Sequence, residues 1–468
     1  MFVGREEELK TLEKLYSKGN FQLVVMYGRR RVGKTTLINK FIEDKKAIFF
    51  AAQEANDSIN LEIFSQKIYS FFDIPLSAGN FKTWNDALEF IAEKAKKQRF
   101  TLVIDEFPYA AEANNSIKSI LQNIIDHKLK ETSLFMILCG SQISFMEDEV
   151  LGHKSPLFGR RTAQMKIEGF DYYDASKMMH SFSDGDKIKL YSCIGGTPHY
   201  LSQIDASLSF EENIKDLYFN VSGYLYDEPT MLLKQELREP AMYNSVITAI
   251  ASGASRLNDI STRISEDTSK TIKYLNTLLN LRILHKEYPF GDNIAKSRKG
   301  IYRISDNCYN FWYKYVFLNK IGIEQGIGHT IADKNVFPDL TDYIGKQVFE
   351  EVCRQYLIRQ NKLSNLSFVA TRIGSWWGQD NVEKKQSDFD IVADNKSEKK
   401  VLLGECKWRN EFDDVKEIEK LINKAYLMPE YEEYYFIFFS KVPYTKAAKE
   451  LEKNYTNLRL VTLDELFK

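Results

Sequence analysis

Short apolar runs separated by amphipathic stretches organise the first part of the chain. "FQLVVMYGRRRVGKTTLINKFI" reads as an apolar strand, a loop and an amphipathic helix. "FTLVID" and "SLFMILCG" read as further buried strands. The order strand–loop–helix, strand, helix, strand, helix, strand predicts an α/β unit with a parallel sheet covered on both faces. The pattern then turns helical. From "AMYNSVITAIASGASRLNDISTRISEDTSKTIKYLNTLLNLRILHKEYPF" it predicts a helix, a Gly/Ser break, a short helix over "LNDISTRI" and a longer helix from Asp267. Ile272, Leu275, Leu278 and Leu279 share one face of that longer helix. A strand, a Gly-bearing loop and the return strand "GIYRISD" follow, which completes a winged helix-turn-helix plan. "NCYNFWYKYVF" has the spacing of a buried amphipathic helix, with a base-stacking platform as the other reading.

From about Val336 a third pattern begins. It predicts one long helix over "DLTDYIGKQVFEEVCRQYL", a strand in "FVATRIGSWWG", a hairpin, a helix, "YYFIFFS", a helix and a closing "LRLVTLDELF". The hairpin is "DFDIVADNKSEKKVLLGECKW", with "NKSEKK" as its turn. Its second strand sets Glu405 and Lys407 among Val401, Leu402, Leu403 and Trp408, and charged side chains seldom sit in such company without a partner. A turn centred between Ser397 and Glu398 puts Asp390 opposite Glu405, and period two puts Lys407 on the same face. Two carboxylates so close repel unless a cation sits between them, and a hard divalent ion such as Mg²⁺ suits them. Asp390 and Glu405 would hold that ion, while Lys407 would orient or deprotonate water or stabilise developing negative charge. An alternating exposed face of an edge strand is the plainer reading of the same residues. Trp376 and Trp377 read as core and rim packing.

Composition narrows the class. A chain of 468 residues is too long for one core, so several domains are expected: 1–170, 171–238, 239–306, 307–335 and 336–468. The formal net charge of −1 gives no overall attraction to a polyanion or a membrane, so any nucleic-acid surface must be local. One such excess lies between Arg256 and Arg303, where ten Lys or Arg face five Asp or Glu. Lys296, Arg298 and Lys299 lie in the wing loop, and Ser269, Lys270 and Lys273 open the recognition helix; all suit phosphate contact. A winged helix that only relays the state of its neighbour is equally open. The five scattered cysteines form no CxxC pair, the N-terminus is charged from its fifth residue, and the apolar runs are strand-length. The expectation is a cytoplasmic protein with no membrane segment.

The chemistry begins at Gly28–Thr35, which fits G-x-x-x-x-G-K-[ST] between a strand and a helix. Gly28, Arg29, Arg30, Arg31, Val32, Gly33, Lys34, Thr35 and Thr36 would wrap a nucleotide's phosphates through backbone amides and a helix N-terminus, the three arginine side chains having no assigned role. Lys34 would reach the β- and γ-phosphates, and Thr35 with Asp105 would hold Mg²⁺. Glu106 follows at the strand tip, where a carboxylate can polarise an attacking water. Ser141, at the end of the third strand, reads either as a γ-phosphate sensor or as a turn serine.

The blocks "FVGREEELKTLEKL", "VMYGRRRVGKTTLI", "LVIDEFPY", "ILCGSQISFM", "SPLFGRRT" and "GGTPHYL" together resemble the archaeal-type ATPases, a STAND-class branch of the AAA-like ATPases, over roughly the first 200 residues. The resemblance implies that Phe2 to Arg5 frame the nucleotide. It also implies that Arg160 or Arg161 is the cation for the γ-phosphate, and that Gly195, Gly196, Thr197 and Pro198 form the turn through which a helical lid senses it. A solvated basic loop is the alternative for the two arginines. The D…E-x-K spacing of the closing hairpin resembles the PD-(D/E)XK restriction-endonuclease-like nucleases. With "IGSWWG", it also resembles a domain of unknown function that often follows such ATPases. That resemblance implies an acidic residue on the preceding helix, Glu350 or its neighbour Glu351, as a further metal ligand. Phe389 stands where the pattern expects proline. The expectation is therefore an ATP- and Mg²⁺-using switch that controls a nuclease-like domain acting on nucleic acid, DNA foremost, with a nucleotide-dependent homo-oligomer as a further partner. A regulatory scaffold or DNA-binding regulator whose last domain binds without cutting is the alternative.

Overall fold

The computed structural model describes residues 2–75, 77, 79–237 and 240–468, apart from the side chains of Gln235, Glu236 and Pro240. The expected domain boundary between 238 and 239 lies outside the described residues. The chain divides into two compact units, residues 1–169 with 197–199, and residues 170–196 with 200–468.

The first unit is built on β1 (Gln22–Tyr27), β2 (Ala47–Ala51), β3 (Thr101–Asp105), β4 (Phe135–Gly140) and β5 (Ala163–Lys166). They form one sheet in the order β2-β3-β4-β1-β5, with every pair parallel. Alternate residues of each strand feed two separate cores. Leu23, Val25, Leu102, Ile104, Met136 and Leu138 pack on one side; Val24, Met26, Val103, Ile137 and Cys139 pack on the other. This two-sided burial is why the strands read as continuous apolar runs.

The second unit carries the helices Pro240–Ala251, Leu257–Ile264 and Thr268–Asn280, followed by the antiparallel pair β6 (Leu284–Glu287) and β7 (Ile301–Ile304). Asp267 caps the third helix by accepting the Lys270 N–H at 2.9 Å. Leu275 and Leu278 of this helix are buried, but Ile272 is 40% exposed, so the apolar face is narrower than the spacing predicts. The aromatic stretch from Cys308 to Val316 is buried, as its period predicts.

The last sheet consists of β8 (Arg372–Asp380), β9 (Lys385–Asn395), β10 (Lys400–Lys407), β11 (Glu433–Ser440) and β12 (Leu458–Thr462), in the order β12-β11-β10-β9-β8. The hairpin pairs β8-β9-β10 are antiparallel, and β10-β11-β12 are parallel. The long helix expected before this sheet is two helices, Leu340–Gln347 and Phe349–Lys362, broken at Val348 with φ −127°. Val348 and Phe349 at the break are both fully buried.

The segments expected as separate domains after residue 170 share one continuous core. Tyr172 donates its hydroxyl to Leu466 O at 2.6 Å, and Tyr343 donates to Ser192 O at 3.1 Å. All five cysteines are buried, and none is in a disulfide. Among the described residues, no helix is long and apolar enough to cross a membrane.

Candidate nucleotide site and candidate acidic site

At the end of β1 the chain turns at Gly28, where a Cβ would lie 2.0 Å from Ile167 O; only glycine fits this approach of the loop to the strand end. Gly33 sits at φ 89° as the N-cap of the helix Lys34–Ile42, and Arg31 at φ 70°. Lys34 is buried and donates to Gly28 O at 2.7 Å and Arg29 O at 2.9 Å. Its ammonium thus closes the loop on itself, and burial lowers its pKa against the pull of Cys139, Glu106 and Asp105. Thr35 donates to Asp105 Oδ2 at 2.9 Å, so the hydroxyl and the carboxylate expected to share a metal already meet. Arg5 donates to Val32 O at 3.0 Å and to Glu168 O, clasping the loop from the "FVGRE" segment. Arg30 donates to the Tyr109 hydroxyl at 2.6 Å.

Glu106 adopts φ 48°, a left-handed conformation costly for a non-glycine residue. Its Oε2 accepts the Ser141 hydroxyl at 2.8 Å and the Ser141 N–H at 3.2 Å. Ser141 therefore holds the candidate water-polarising carboxylate, a partnership that sequence spacing does not show. Gly33 would meet Pro198 Cγ at 3.9 Å if it carried a Cβ, which puts Pro198 beside the loop.

Arg160 is placed differently from the expectation. Its guanidinium donates to Asp126 Oδ2 at 2.9 and 2.6 Å and to Pro156 O and Phe158 O at 2.8 and 3.1 Å. These bonds fix the loop to the helix Ile117–His127, a structural clasp rather than a free cation. Arg161 lines an open surface groove with Phe158, Gly159, Thr162, Ala163 and Gln164.

In the second unit the β9–β10 ladder runs in the predicted register, from Lys400 opposite Asn395 to Gly404 opposite Ile391, one step short of Asp390 and Glu405. On the other side of β9, Val392 faces Gly374 and Phe389 faces Trp376, so Asp390 and Ile391 together oppose the single residue Ser375. This is a β-bulge, and bulges re-aim side chains. The Asp390 carboxylate accepts the Cys406 N–H at 2.8 Å, which ties it to the strand between Glu405 and Lys407. Lys407 ion-pairs with Glu405 and, at 3.5 Å, with Glu417 of the helix Asp414–Asn423. Glu417 was not legible as a partner, because it lies on another element with no motif linking it to the hairpin.

Burial, with Glu405 and Glu350 beside it, raises the Asp390 pKa well above the usual carboxylate range. Burial also raises Glu350, with Glu287 and Asp388 adding to it against Arg303 and Arg354. For Lys407 burial acts to lower the pKa, but Glu405, Asp390 and Glu417 together raise it. Among the described residues, no group of three or more His, Cys, Asp or Glu is arranged to hold a metal. Glu350 lies close enough to raise the Asp390 pKa, and Glu351 is paired with Arg354, leaving Asp390 and Glu405 as the hairpin's own carboxylates. The two remaining carboxylates are hard oxygen donors whose crowding a divalent cation would relieve. They fit an ion that keeps most of its own water.

Residues 2–204 match a family described as an ATPase domain predominantly from Archaea, and residues 312–420 match one described as archaeal and bacterial proteins of unknown function. A protein of Methanocaldococcus jannaschii, "Uncharacterized protein MJECL04", is 32% identical over 446 residues, which span 94% of this chain and 96% of its own length. The "Uncharacterized ATP-binding protein MJ0423" of the same organism is 56% identical over 46 residues, 10% of this chain and 78% of that one. Among solved structures, the Walker-type ATPase paby2304 of Pyrococcus abyssi aligns with a TM-score of 0.50 at 20% identity, covering 67% of this chain and 96% of its own. At that identity the likeness speaks for the fold alone.

Proposed function

The chain belongs to one family with uncharacterized protein MJECL04 of Methanocaldococcus jannaschii and carries an archaeal-type ATPase domain over residues 2–204, and from that premise we propose that it is an ATP-hydrolysing switch governing a C-terminal domain that acts on nucleic acid. At the first site, the amides of Gly28 to Thr35 and the Lys34 ammonium bind the β- and γ-phosphates of ATP. Lys34 leaves the Gly28 and Arg29 carbonyls to do so. Thr35 and Asp105 are the residues that would hold Mg²⁺, which supplies charge neutralisation on the phosphate oxygens. Glu106 orients a water on the γ-phosphorus. The water oxygen bonds to phosphorus, the bond to the β,γ-bridging oxygen breaks, and Glu106 takes the water's proton.

At the second site, Asp390 and Glu405 are the residues that would hold a divalent ion, whose contribution is Lewis-acid polarisation of a phosphodiester. Lys407 orients the attacking water and balances charge on the phosphate. The observation that carries this reading is the bulge that turns the Asp390 carboxylate onto the Cys406 N–H, between Glu405 and Lys407. A binding-only domain is the second reading. It is favoured by the pairing of Lys407 with Glu405 and Glu417 and by the lack of a three-ligand cluster among the described residues.

The winged-helix reading of the three helices and β6–β7 supports nucleic-acid contact, and a nucleotide-dependent oligomer accords with the ATPase reading. The test is plasmid and single-stranded DNA incubated with Mg²⁺ or Mn²⁺, comparing the wild type with Lys407→Ala. The enzyme reading expects metal-dependent cleavage that the variant loses. Equal cleavage by both proteins would remove Lys407 from the mechanism, and no cleavage with retained binding would select the second reading.

A further inference from the structure

The chain passes between the two compact units at Gly169–Phe170, Gly196–Thr197 and His199–Tyr200. The first two crossings are tied together, because Phe170 donates its N–H to Gly196 O at 2.7 Å. A Cβ on Gly196 would lie 1.8 Å from Phe170 O, so only glycine permits this approach. Just past the second crossing, Pro198 lies beside Gly33 of the phosphate loop. A loop that rearranges around phosphate has that crossing as its neighbour.

One side chain collects both crossings on the far side. Gln355 Oε1 accepts the Tyr172 N–H at 3.0 Å, two residues past the first crossing. The hydroxyl of Tyr191 lies 3.4 Å from the same oxygen. Tyr191 is buried in the helix Asp184–Ile194, and its carbonyl accepts the Gly195 N–H at 2.9 Å, one residue before Gly196. Gln355 Nε2 donates to Glu351 Oε1 at 2.9 Å, one turn back on the helix Phe349–Lys362. Its amide thus holds the two segments that lead out of the first unit to one helix of the second.

That helix packs on the strand that carries Glu405 and Lys407. The Phe349 and Trp408 rings meet with centroids 5.0 Å apart. Cys353, one turn on, shares the buried core with Cys406, and the two thiols hydrogen-bond. Cys406 and Trp408 flank Lys407, and the Cys406 N–H holds the Asp390 carboxylate at 2.8 Å. A shift of the helix would displace both neighbours of Lys407.

We propose that Gln355 is the coupling residue of the switch. It passes the nucleotide state of the first unit from the crossings at Phe170 and Gly196 to the helix Phe349–Lys362, and so to Cys406 and Trp408. This deepens the reading of an ATP-governed second site given above and stands on it. Gln355 acts through the helix, so it is a positioning residue. Coupling between sites is commonly about 5–150-fold, and a joint made of neutral hydrogen bonds belongs at the low end of that range.

Two measurements on the full chain test this with Gln355→Met, which keeps the length of the side chain and removes its hydrogen bonds. The first is hydrogen exchange of residues 349–362 with and without the β,γ-imido analogue of ATP and Mg²⁺. In the wild type the analogue should change exchange there by about threefold or more, and in the variant by less than about 1.5-fold at equal analogue affinity. An unresponsive helix in the wild type, or an equal response in the variant, would overturn the proposal. The second is cleavage of single-stranded and plasmid DNA with Mn²⁺. Gln355→Met should match wild-type ATP hydrolysis and ATP-free cleavage within about twofold, yet lose the effect of ATP on cleavage. A variant that keeps that effect would overturn the coupling role. So would one that loses hydrolysis and ATP-free cleavage together, which marks a general structural role. If no form cuts DNA, the nuclease reading of the second site falls, and hydrogen exchange alone decides whether Gln355 carries the nucleotide signal.

Discussion

Glu106 and Ser141 are joined at the tips of neighbouring strands, and that junction assigns each a task. A carboxylate held by both the N–H and the O–H of Ser141 is fixed in orientation, as a water-polarising base needs. Glu106→Gln keeps the shape and an acceptor oxygen but removes the base. Hydrolysis should fall by about a hundredfold or more while ATP affinity changes little; parallel nucleotide titration and steady-state assays check this. Asp126 carries a different consequence. Hydrogen bonds from Arg160, then from Lys130, lower its pKa from 3.8 to about 2. The stability it contributes is thus fully present above 3.8 and is lost as pH falls through about 2. Wild type and Asp126→Asn should differ in Tm at neutral pH and converge below about 2, as acid melting curves would show. The phosphate loop was legible because its residues are contiguous and their spacing carries the chemistry. The Arg160 clasp was not, since Asp126 lies on a separate helix and no local pattern links the two.

Among the elements, alternation and turn position sufficed for the β9–β10 hairpin. Both faces of the hairpin are buried, with Val401 and Leu403 in one core and Leu402 and Cys406 in the other, so a one-residue slip would swap the two sets, and the turn position sets the register. The bulge at Asp390 was not legible, because it depends on how β8 meets β9 from outside the hairpin. The break at Val348 is not legible for a similar reason: neither Gly nor Pro marks it, and it sits where Val348 and Phe349 are both fully buried. Gly28 ties an element to its function. An added methyl would sit 2.0 Å from a backbone oxygen at the end of β5, and that backbone cannot retreat without moving the loop. Gly28→Ala should abolish detectable ATP binding and lower the Tm, by calorimetry and melting curves. Unchanged ATP affinity would show that the loop does not need this close approach.

For the molecule as a whole, the ordered blocks of the first 200 residues were enough to read an ATPase, and the family match over residues 2–204 agrees. The later segments read as separate domains because their periodicities differ. They fall in one unit, in which one core runs from Phe170 to Leu466 and a second covers the other face of the last sheet, with buried contacts such as Tyr172 to Leu466 that join residues far apart in sequence. The central claim is that ATP turnover in the first unit governs what the second does to nucleic acid. The most direct measurement is cleavage of single-stranded and plasmid DNA with Mn²⁺, with and without ATP, by the wild type and Lys34→Ala. The account predicts that ATP changes the wild-type rate severalfold and leaves Lys34→Ala unmoved, because that chain cannot grip the phosphates. Cleavage identical in both proteins with and without ATP would contradict it, and the two units would then be working independently.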